Sequence, residues 1–236
     1  MLRKMAYLSL LLALLLPLLL VLKPHISLER GAPSSGELVL LPEPRLSGDV
    51  SVEEAIAKRR SVRSYRDEPI TLEQLSQLLW AAQGVTEEKR KYRSAPSAGP
   101  TYPFEVYVVA GRVKGLSPGI YRYLPEKHAL EMLKEGDFGK ELQRAALDQE
   151  WVGSAPIDII LVAFYERTTR VYGERGIRYV HMEAGHIGQN IYLQATALGL
   201  GTVAVGAFDD EGVKKLLGTE GAPLYIFPVG VPYGTP

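Results

Sequence analysis

The chain has 236 residues, 46% of them hydrophobic and 23% charged, with a formal net charge of zero. That is ordinary for a globular core and gives no global charge to attract nucleic acid. It contains no cysteine, which excludes disulfides, thiolate metal sites, a catalytic thiol and a lipoprotein anchor.

Charge is uneven along the chain. Arg3, Lys4, Lys23 and Arg30 against Glu29 leave residues 1–31 at +3 and the remainder at −3. Ala6 to Leu22 is an apolar run broken only by Tyr7, Ser9 and Pro17. As a helix it would reach about 26 Å, enough to cross a thin bilayer. The run ends in Val21-Leu22-Lys23-Pro24-His25, without the small-residue pattern of a cleavage site. Residues 1–23 therefore read as a single-pass membrane anchor in preference to a signal segment cleaved on secretion, or to a buried helix. Arg3 and Lys4 favour an inside N-terminus and an extracytoplasmic domain, while Lys23 and Arg30 pull weakly the other way. Residues 24–49, with Pro24, Pro33, Pro42, Pro44, Gly31, Gly36 and Gly48, read as a linker to a domain over 50–236. Leu38 to Leu41 could add a short strand or dock onto that domain.

Within the domain, Ser51 and Glu54 form a capping-box pattern for a helix ending near Arg59. Thr71 and Gln74 open a second, whose stripe of Leu72, Leu75, Leu78, Leu79 and Ala82 runs to Gly84. Residues 104–110 and 157–164 read as strands, the second apolar enough to be buried on both faces. Shorter antiparallel strands are expected at 120–123 and 129–133 around Pro125. A long helix over 178–198, a strand at 202–205, a helix at 210–217 and a strand at 224–229 follow. The pattern predicts an α+β fold, with a central sheet surrounded by helices. The helix stripe Ala184, Gly188, Ile191, Ala195 and Leu198 is narrow and small, fit to pack closely on a partner or on its own sheet.

Three segments could carry chemistry. Arg59, Arg60, Ser61 and Arg63 place three guanidinium groups and a hydroxyl at a helix end, a set that suits bidentate contact with phosphate. The same residues could simply be a solvated basic helix terminus. Pro96, Ser97, Ala98 and Gly99 form a restricted loop before a strand, able to approach a planar ligand or merely to enter the strand. Gly206 and Ala207 lie between a strand and a helix and could aim N–H groups at an acceptor. Asp209 or Asp210 most simply caps that helix.

Other motifs fail. Gly199-Leu200-Gly201 follows a helix and precedes a strand, the reverse of a dinucleotide-binding loop. His181 and His186 are five apart on a helix, with no HExxH pattern, so no metal site is expected. Ser61 and Ser97 lack the glycine context of a hydrolase nucleophile.

Taken in order, Arg59-Arg60-Ser61-Val62-Arg63-Ser64-Tyr65, Pro96-Ser97-Ala98-Gly99, Glu183 to Asn190, Leu198 to Gly201, Gly206 to Asp210 and Phe227-Pro228-Val229-Gly230 resemble the nitroreductase superfamily. The order and spacing are most similar to the SagB-type branch, whose dehydrogenases oxidise azolines to azoles in modified peptides. The resemblance implies a mainly antiparallel sheet surrounded by helices, in an entwined homodimer with two FMN sites at its interface. It places Arg59, Arg60, Ser61 and Arg63 at the phosphate and ribityl end. Pro96, Ser97, Ala98 and Gly99 would line the isoalloxazine from the other subunit, and the Gly206 and Ala207 N–H groups would stand near its N5 and O4. No catalytic side chain is implied, because the flavin carries the redox chemistry.

The activity implied is hydride transfer between NAD(P)H or another reductant and a small acceptor. The alternatives are a SagB-type azoline dehydrogenase and a membrane-anchored flavin-binding protein without turnover. Two departures stand out. Val231 and Pro232 follow the closing Gly230 where many relatives have a basic residue, and Lys91-Tyr92 is only a nominal match to the Lys-Tyr pair of azoline oxidation. Residues 86–95 and 165–178 are the candidates for the acceptor loops.

Overall fold

The computed structural model describes residues 36–234. An edge strand, β1 (Leu38–Leu40), comes first, followed by α1 (Val52–Lys58) with Ser51 accepting the Glu54 N–H at its start. Next are β2 (Ile70–Thr71) and α2 (Leu72–Gln83), and Thr71 with Gln74 closes the capping box at the α2 N-terminus. A hairpin, β3 (Val85–Glu87) and β4 (Tyr92–Arg93), leads to β5 (Phe104–Ala110), β6 (Val113–Lys114), β7 (Gly119–Leu124) and β8 (Ala129–Glu135). Two short helices, α3 (Gly139–Ala145) and α4 (Trp151–Ser154), precede β9 (Ile157–Ala163). The rest comprises α5 (Glu166–Tyr172), α6 (Arg175–Ala197), β10 (Gly201–Thr202), α7 (Asp210–Leu217) and β11 (Ala222–Gly230).

Seven strands form one sheet in the order β1-β8-β7-β5-β9-β11-β10, and every pairing in it is antiparallel. The predicted α+β class and central antiparallel sheet are therefore observed. Both faces of the central strands are covered, which explains why β9 is apolar without alternation. Ile157, Ile159, Leu161 and Ala163 join one core with α2 and α6, while Ile160 and Val162 join a second with α3 and α7. Each fully buried aliphatic side chain of this kind stabilises the fold by roughly 1.5–3 kcal/mol.

The small-residue stripe of α6 is occupied by the chain's own sheet. Ala184, Gly188, Ile191 and Ala195 are buried, and a Cβ on Gly188 would stand 2.8 Å from Phe227 Cζ on β11. Part of the segment read as linker is bound into the domain: Leu38, Val39 and Leu40 pair with Glu131, Leu130 and Ala129. Ser76 Oγ donates to the Pro42 carbonyl at 2.5 Å.

One expectation is corrected. Among the described residues no helix is long and apolar enough to cross a membrane, so the membrane-anchored or secreted protein with an extracytoplasmic domain is not supported. The 23-residue α6 carries Arg175, Arg178, Glu183 and His186, and each charge at bilayer depth would cost about 2.5–3.5 kcal/mol. The apolar run 6–22 lies outside the described residues.

Candidate active site

The arginine cluster runs from the C-terminus of α1, where Arg59 is the cap, onto a sheet edge. After α1 the chain extends, Ser61 bridges Thr202 of β10, and Val62 N–H donates to the Thr202 carbonyl at 2.9 Å. A Cβ on Gly201 would meet Val62 Cγ1 at 2.7 Å, so glycine there lets the two backbones meet. Tyr65 is buried and donates to the carbonyls of Val62 and Pro228. Val231 and Pro232, the departure noted after the closing glycine, clamp the next residues: Arg66 N–H donates to Val231 O at 2.8 Å and Tyr65 bridges Pro232. These ties leave Arg60, Ser61 and Arg63 facing outward and Arg59 half-buried.

The four residues divide by role. Arg60 Nη1 turns back to donate to the Ala57 and Arg59 carbonyls at 2.9 and 2.8 Å. It thereby serves the helix C-terminus, as the bland reading expected. Arg59 lies over the Tyr192 ring, 5.1 Å from its centroid, and Arg63 over the Trp151 ring at 5.7 Å. Among the described residues neither has a carboxylate partner. Two aromatic faces thus hold two cations while leaving their N–H edges open.

Tyr192 is the residue that sequence reasoning missed. Its hydroxyl accepts the Ala204 N–H at 2.8 Å and shares a 3.0 Å hydrogen bond with Ser61 Oγ. A phenol oxygen accepting from Ala204 has its own proton to give Ser61, which leaves the serine proton for a ligand. Tyr192 therefore links the cluster to the strand that leads into Gly206. Its position on α6 resembles that of any core aromatic, and its partner lies 131 residues away, so no local signal marks it.

Gly206 and Ala207 are exposed just beyond Val205, which bridges Ile226 of β11. Among the described residues neither N–H has an acceptor, whereas the Ala207 carbonyl accepts from Gln149 Nε2 at 2.7 Å. Gln149 and Trp151 flank the start of α4, so the same short segment contacts both Ala207 and Arg63. The expected aspartate cap is not formed. Asp209 stands at the N-cap of α7 without a side-chain hydrogen bond, and its N–H goes to the Ala145 carbonyl.

Pro96, Ser97, Ala98 and Gly99 lie elsewhere. Ser97 Oγ accepts the Tyr102 N–H at 3.0 Å, Thr101 bonds Thr168 of α5 at 2.8 Å, and Gly99 (φ +56°) sits under the Tyr172 hydroxyl. The loop also meets Glu183 near the N-terminal end of α6, while Ser61 meets Tyr192 farther on. Nine helical residues separate those two contacts, about 14 Å at 1.5 Å per residue. Within one chain, no described contact joins this loop to the arginines.

Lys91 is ion-paired with Glu88 on the exposed β3–β4 hairpin. His181 bonds the Tyr165 hydroxyl at 2.6 Å.

The nitroreductase family model matches residues 56–231. The chain belongs to the nitroreductase family. A nitroreductase-family protein from Methanocaldococcus jannaschii is 51% identical over 182 residues, spanning 77% of this chain and 91% of its own length. A solved nitroreductase-family structure from Ralstonia eutropha is 30% identical and superposes with a TM-score of 0.73, covering 87% of this chain and 94% of that one. The NADPH:FMN oxidoreductase of Vibrio harveyi, solved with NAD+, shares the fold at 22% identity and TM-score 0.57, over 78% of this chain and 70% of that one. This member of the nitroreductase family is thus an oxidoreductase by descent.

The Tyr192→Phe variant of this nitroreductase-family chain is expected to leave the Ala204 N–H and Ser61 without their shared partner. Affinity for a phosphate-bearing ligand, probed with FMN, should fall about five- to ten-fold, the net worth of one neutral hydrogen bond because Ser61 is loosened rather than removed, with little change in melting temperature; an unchanged affinity in a fluorescence titration would dismiss the link.

Asp158 is 2% exposed in β9 with Oδ1 unpartnered. Burial pushes its carboxyl well above the usual range, and the Arg112 charge only partly opposes this. A raised folded-state value adds stability that is complete below the unfolded value, about 3.9, and is lost as pH rises through the folded one. Asp158→Asn should therefore gain on the wild type in thermal midpoint between pH 4.5 and 8. A gap that stays constant over that window would show that Asp158 holds no extra proton.

Proposed function

We propose that the domain over residues 50–236 is an FMN-dependent oxidoreductase acting as a homodimer, passing hydride between NAD(P)H or a similar reductant and a small acceptor. The observation that carries this reading is the pair Arg59 and Arg63, without carboxylate partners and seated on Tyr192 and Trp151 beside Ser61. Two planar cations with a neighbouring hydroxyl fit a phosphate monoester dianion. The free N–H groups of Gly206 and Ala207 are tied to the same cluster, because the segment Gln149–Trp151 contacts both the Ala207 carbonyl and Arg63.

In this reading the chain's own groups bind and orient. Arg59 and Arg63 hold the phosphate, Ser61 donates a hydrogen bond to it, and Arg60 completes the helix end behind them. Bound FMN would supply the hydride chemistry, which the side chains do not. The Gly206 and Ala207 N–H groups would face a position where negative charge develops, a role backbone donors perform without reorganising. Pro96, Ser97, Ala98 and Gly99 would reach the flavin from the second protomer, since Arg59 and Ser61 of their own chain gather at Tyr192, nine residues along α6 from Glu183. The Vibrio harveyi neighbour, an NADPH:FMN oxidoreductase solved with NAD+, supports the choice of cofactor and reductant. The ion-paired, exposed Lys91 gives azoline oxidation no support.

The test is reconstitution with FMN followed by NADH and NADPH oxidation against quinone, nitroaromatic and flavin acceptors. Steady-state turnover that requires added FMN is expected. FMN binding with no turnover for any acceptor would instead favour a flavin-binding protein without catalysis.

A further inference from the structure

Glu183 is a carboxylate that the proposed function leaves unused. It sits on α6 at 3% exposure, with Gln83 of α2 and Ser97 of the flavin-facing loop placed as donors to it. Neither Glu183 Oε1 nor Gln83 Nε2 closes a hydrogen bond of full geometry, so the network is open by one contact. Gln83 itself is fully buried. Its amide orientation is set from β4, where Arg93 Nη1 donates to Gln83 Oε1 at 3.1 Å. Arg93 in turn stacks on Tyr102, 4.4 Å from the ring centroid, and the Tyr102 N–H donates to Ser97 Oγ. Glu183, Gln83, Arg93, Tyr102 and Ser97 thus form one cluster at the base of this loop, linked by the Arg93–Gln83 and Tyr102–Ser97 hydrogen bonds and left open at Glu183.

We propose that Glu183 is a positioning residue that, by holding or releasing one proton, sets whether Ser97 meets a bound ligand as a hydrogen-bond donor or as an acceptor. The inference rests on the reading of residues 96–99 as a flavin contact. Its logic is a count of donors and acceptors. When Glu183 is ionised it accepts a hydrogen bond from the Ser97 O–H, and Tyr102 N–H occupies one serine lone pair, so toward a ligand Ser97 can only accept. When Glu183 is protonated its own O–H needs an acceptor. Gln83 Oε1 is held by Arg93, which leaves Ser97 Oγ, and the serine proton becomes free to donate.

The titration falls in a useful range. Burial pushes the Glu183 carboxyl up to about 7, against the pull of the Ser97 and Gln83 hydrogen bonds and the Arg93 charge. Arg93 is the one charged group that acts on it. Gln83 from α2 and Ser97 from the loop are neutral, while Tyr102, Glu126 beyond β7 and Arg167 of α5 act on Arg93.

The pyrimidine edge of an isoalloxazine offers more acceptors than donors, so FMN should bind more tightly when Glu183 is protonated. The FMN phosphate also titrates near pH 6, and the comparison must cancel it. FMN dissociation constants are therefore measured by flavin fluorescence for the full chain and for Glu183→Gln, from pH 5.5 to 8.5. The ratio of the two affinities is expected to change about five-fold across that range, the worth of one neutral hydrogen bond, with its midpoint near 7. In a Ser97→Ala background the same substitution should leave the ratio flat. Should Glu183→Gln fail to fold, the wild type and Ser97→Ala supply the ratio instead, and it is expected to vary over the same window. A ratio constant with pH overturns the inference while leaving the flavin reading intact. Absence of FMN binding at every pH overturns both.

Discussion

Replacing Arg59 and Arg63 together by alanine is expected to weaken FMN binding by at least a hundred-fold. A hydrogen bond to a charged group contributes about 1.5–3 kcal/mol. Taking the lower end for each of these partly solvated arginines gives about 3 kcal/mol, a factor of roughly 150. The informative control is Arg60→Ala. All three arginines have the same charge and lie within five residues, so a general electrostatic attraction would treat them alike. The structure does not: Arg60 is folded back on the Ala57 and Arg59 carbonyls, while Arg59 and Arg63 present open guanidinium edges over aromatic rings. Arg60→Ala should cost affinity no more than a few-fold. Fluorescence titrations at two salt concentrations would decide it. Equal losses for all three single variants would reduce the cluster to a basic patch.

Phe227→Ala is the substitution expected to damage stability most among those that leave the surface untouched. The ring is fully buried in β11, under Gly188 of α6, with Tyr192 edge-on at 6.0 Å and Tyr225 tilted at 5.5 Å. Truncating a buried phenylalanine costs about 3–5 kcal/mol, and α6 cannot settle into the space without dragging Tyr192. The variant should therefore lose stability in chemical denaturation and, under conditions where it remains folded, bind FMN more weakly through the displaced Tyr192–Ser61 contact. Loss of stability with unchanged FMN affinity would separate the core from the site and contradict that coupling.

How much of this was legible from the sequence follows from the range of each interaction. The N-terminal caps of α1 and α2 are local patterns and appear where the residues predict, as a full capping box at Thr71 and Gln74 and as the Ser51 half alone in α1, where Glu54 pairs with Lys58. The apolar run of β9, broken only by Asp158, announces a strand covered on both faces, and β9 is one. The short helices α3, α4 and α5 were not visible. None of them has a side-chain cap, and they are held by tertiary packing, α5 on α6, α3 on α4 and α7, and α4 on β11. The strand predicted at 202–205 is only Gly201–Thr202, with Val205 forming a separate bridge to Ile226, because β10 is a short edge paired on one side. The arginine cluster was legible as a composition, but its division was not. Whether a guanidinium caps its own helix or points outward depends on Tyr192 and Trp151, which lie far along the chain. Ser97 could be named from its loop, whereas its tie to Glu183 required knowing which turn of α6 passes beneath it.

The proposed FMN site of this nitroreductase-family domain is tested most directly by the absorbance spectrum of the purified chain after incubation with excess FMN and desalting. A flavin band is expected to stay with the protein in stoichiometric amount and to disappear in the Arg59→Ala, Arg63→Ala double variant. A wild-type protein that emerges colourless would contradict it.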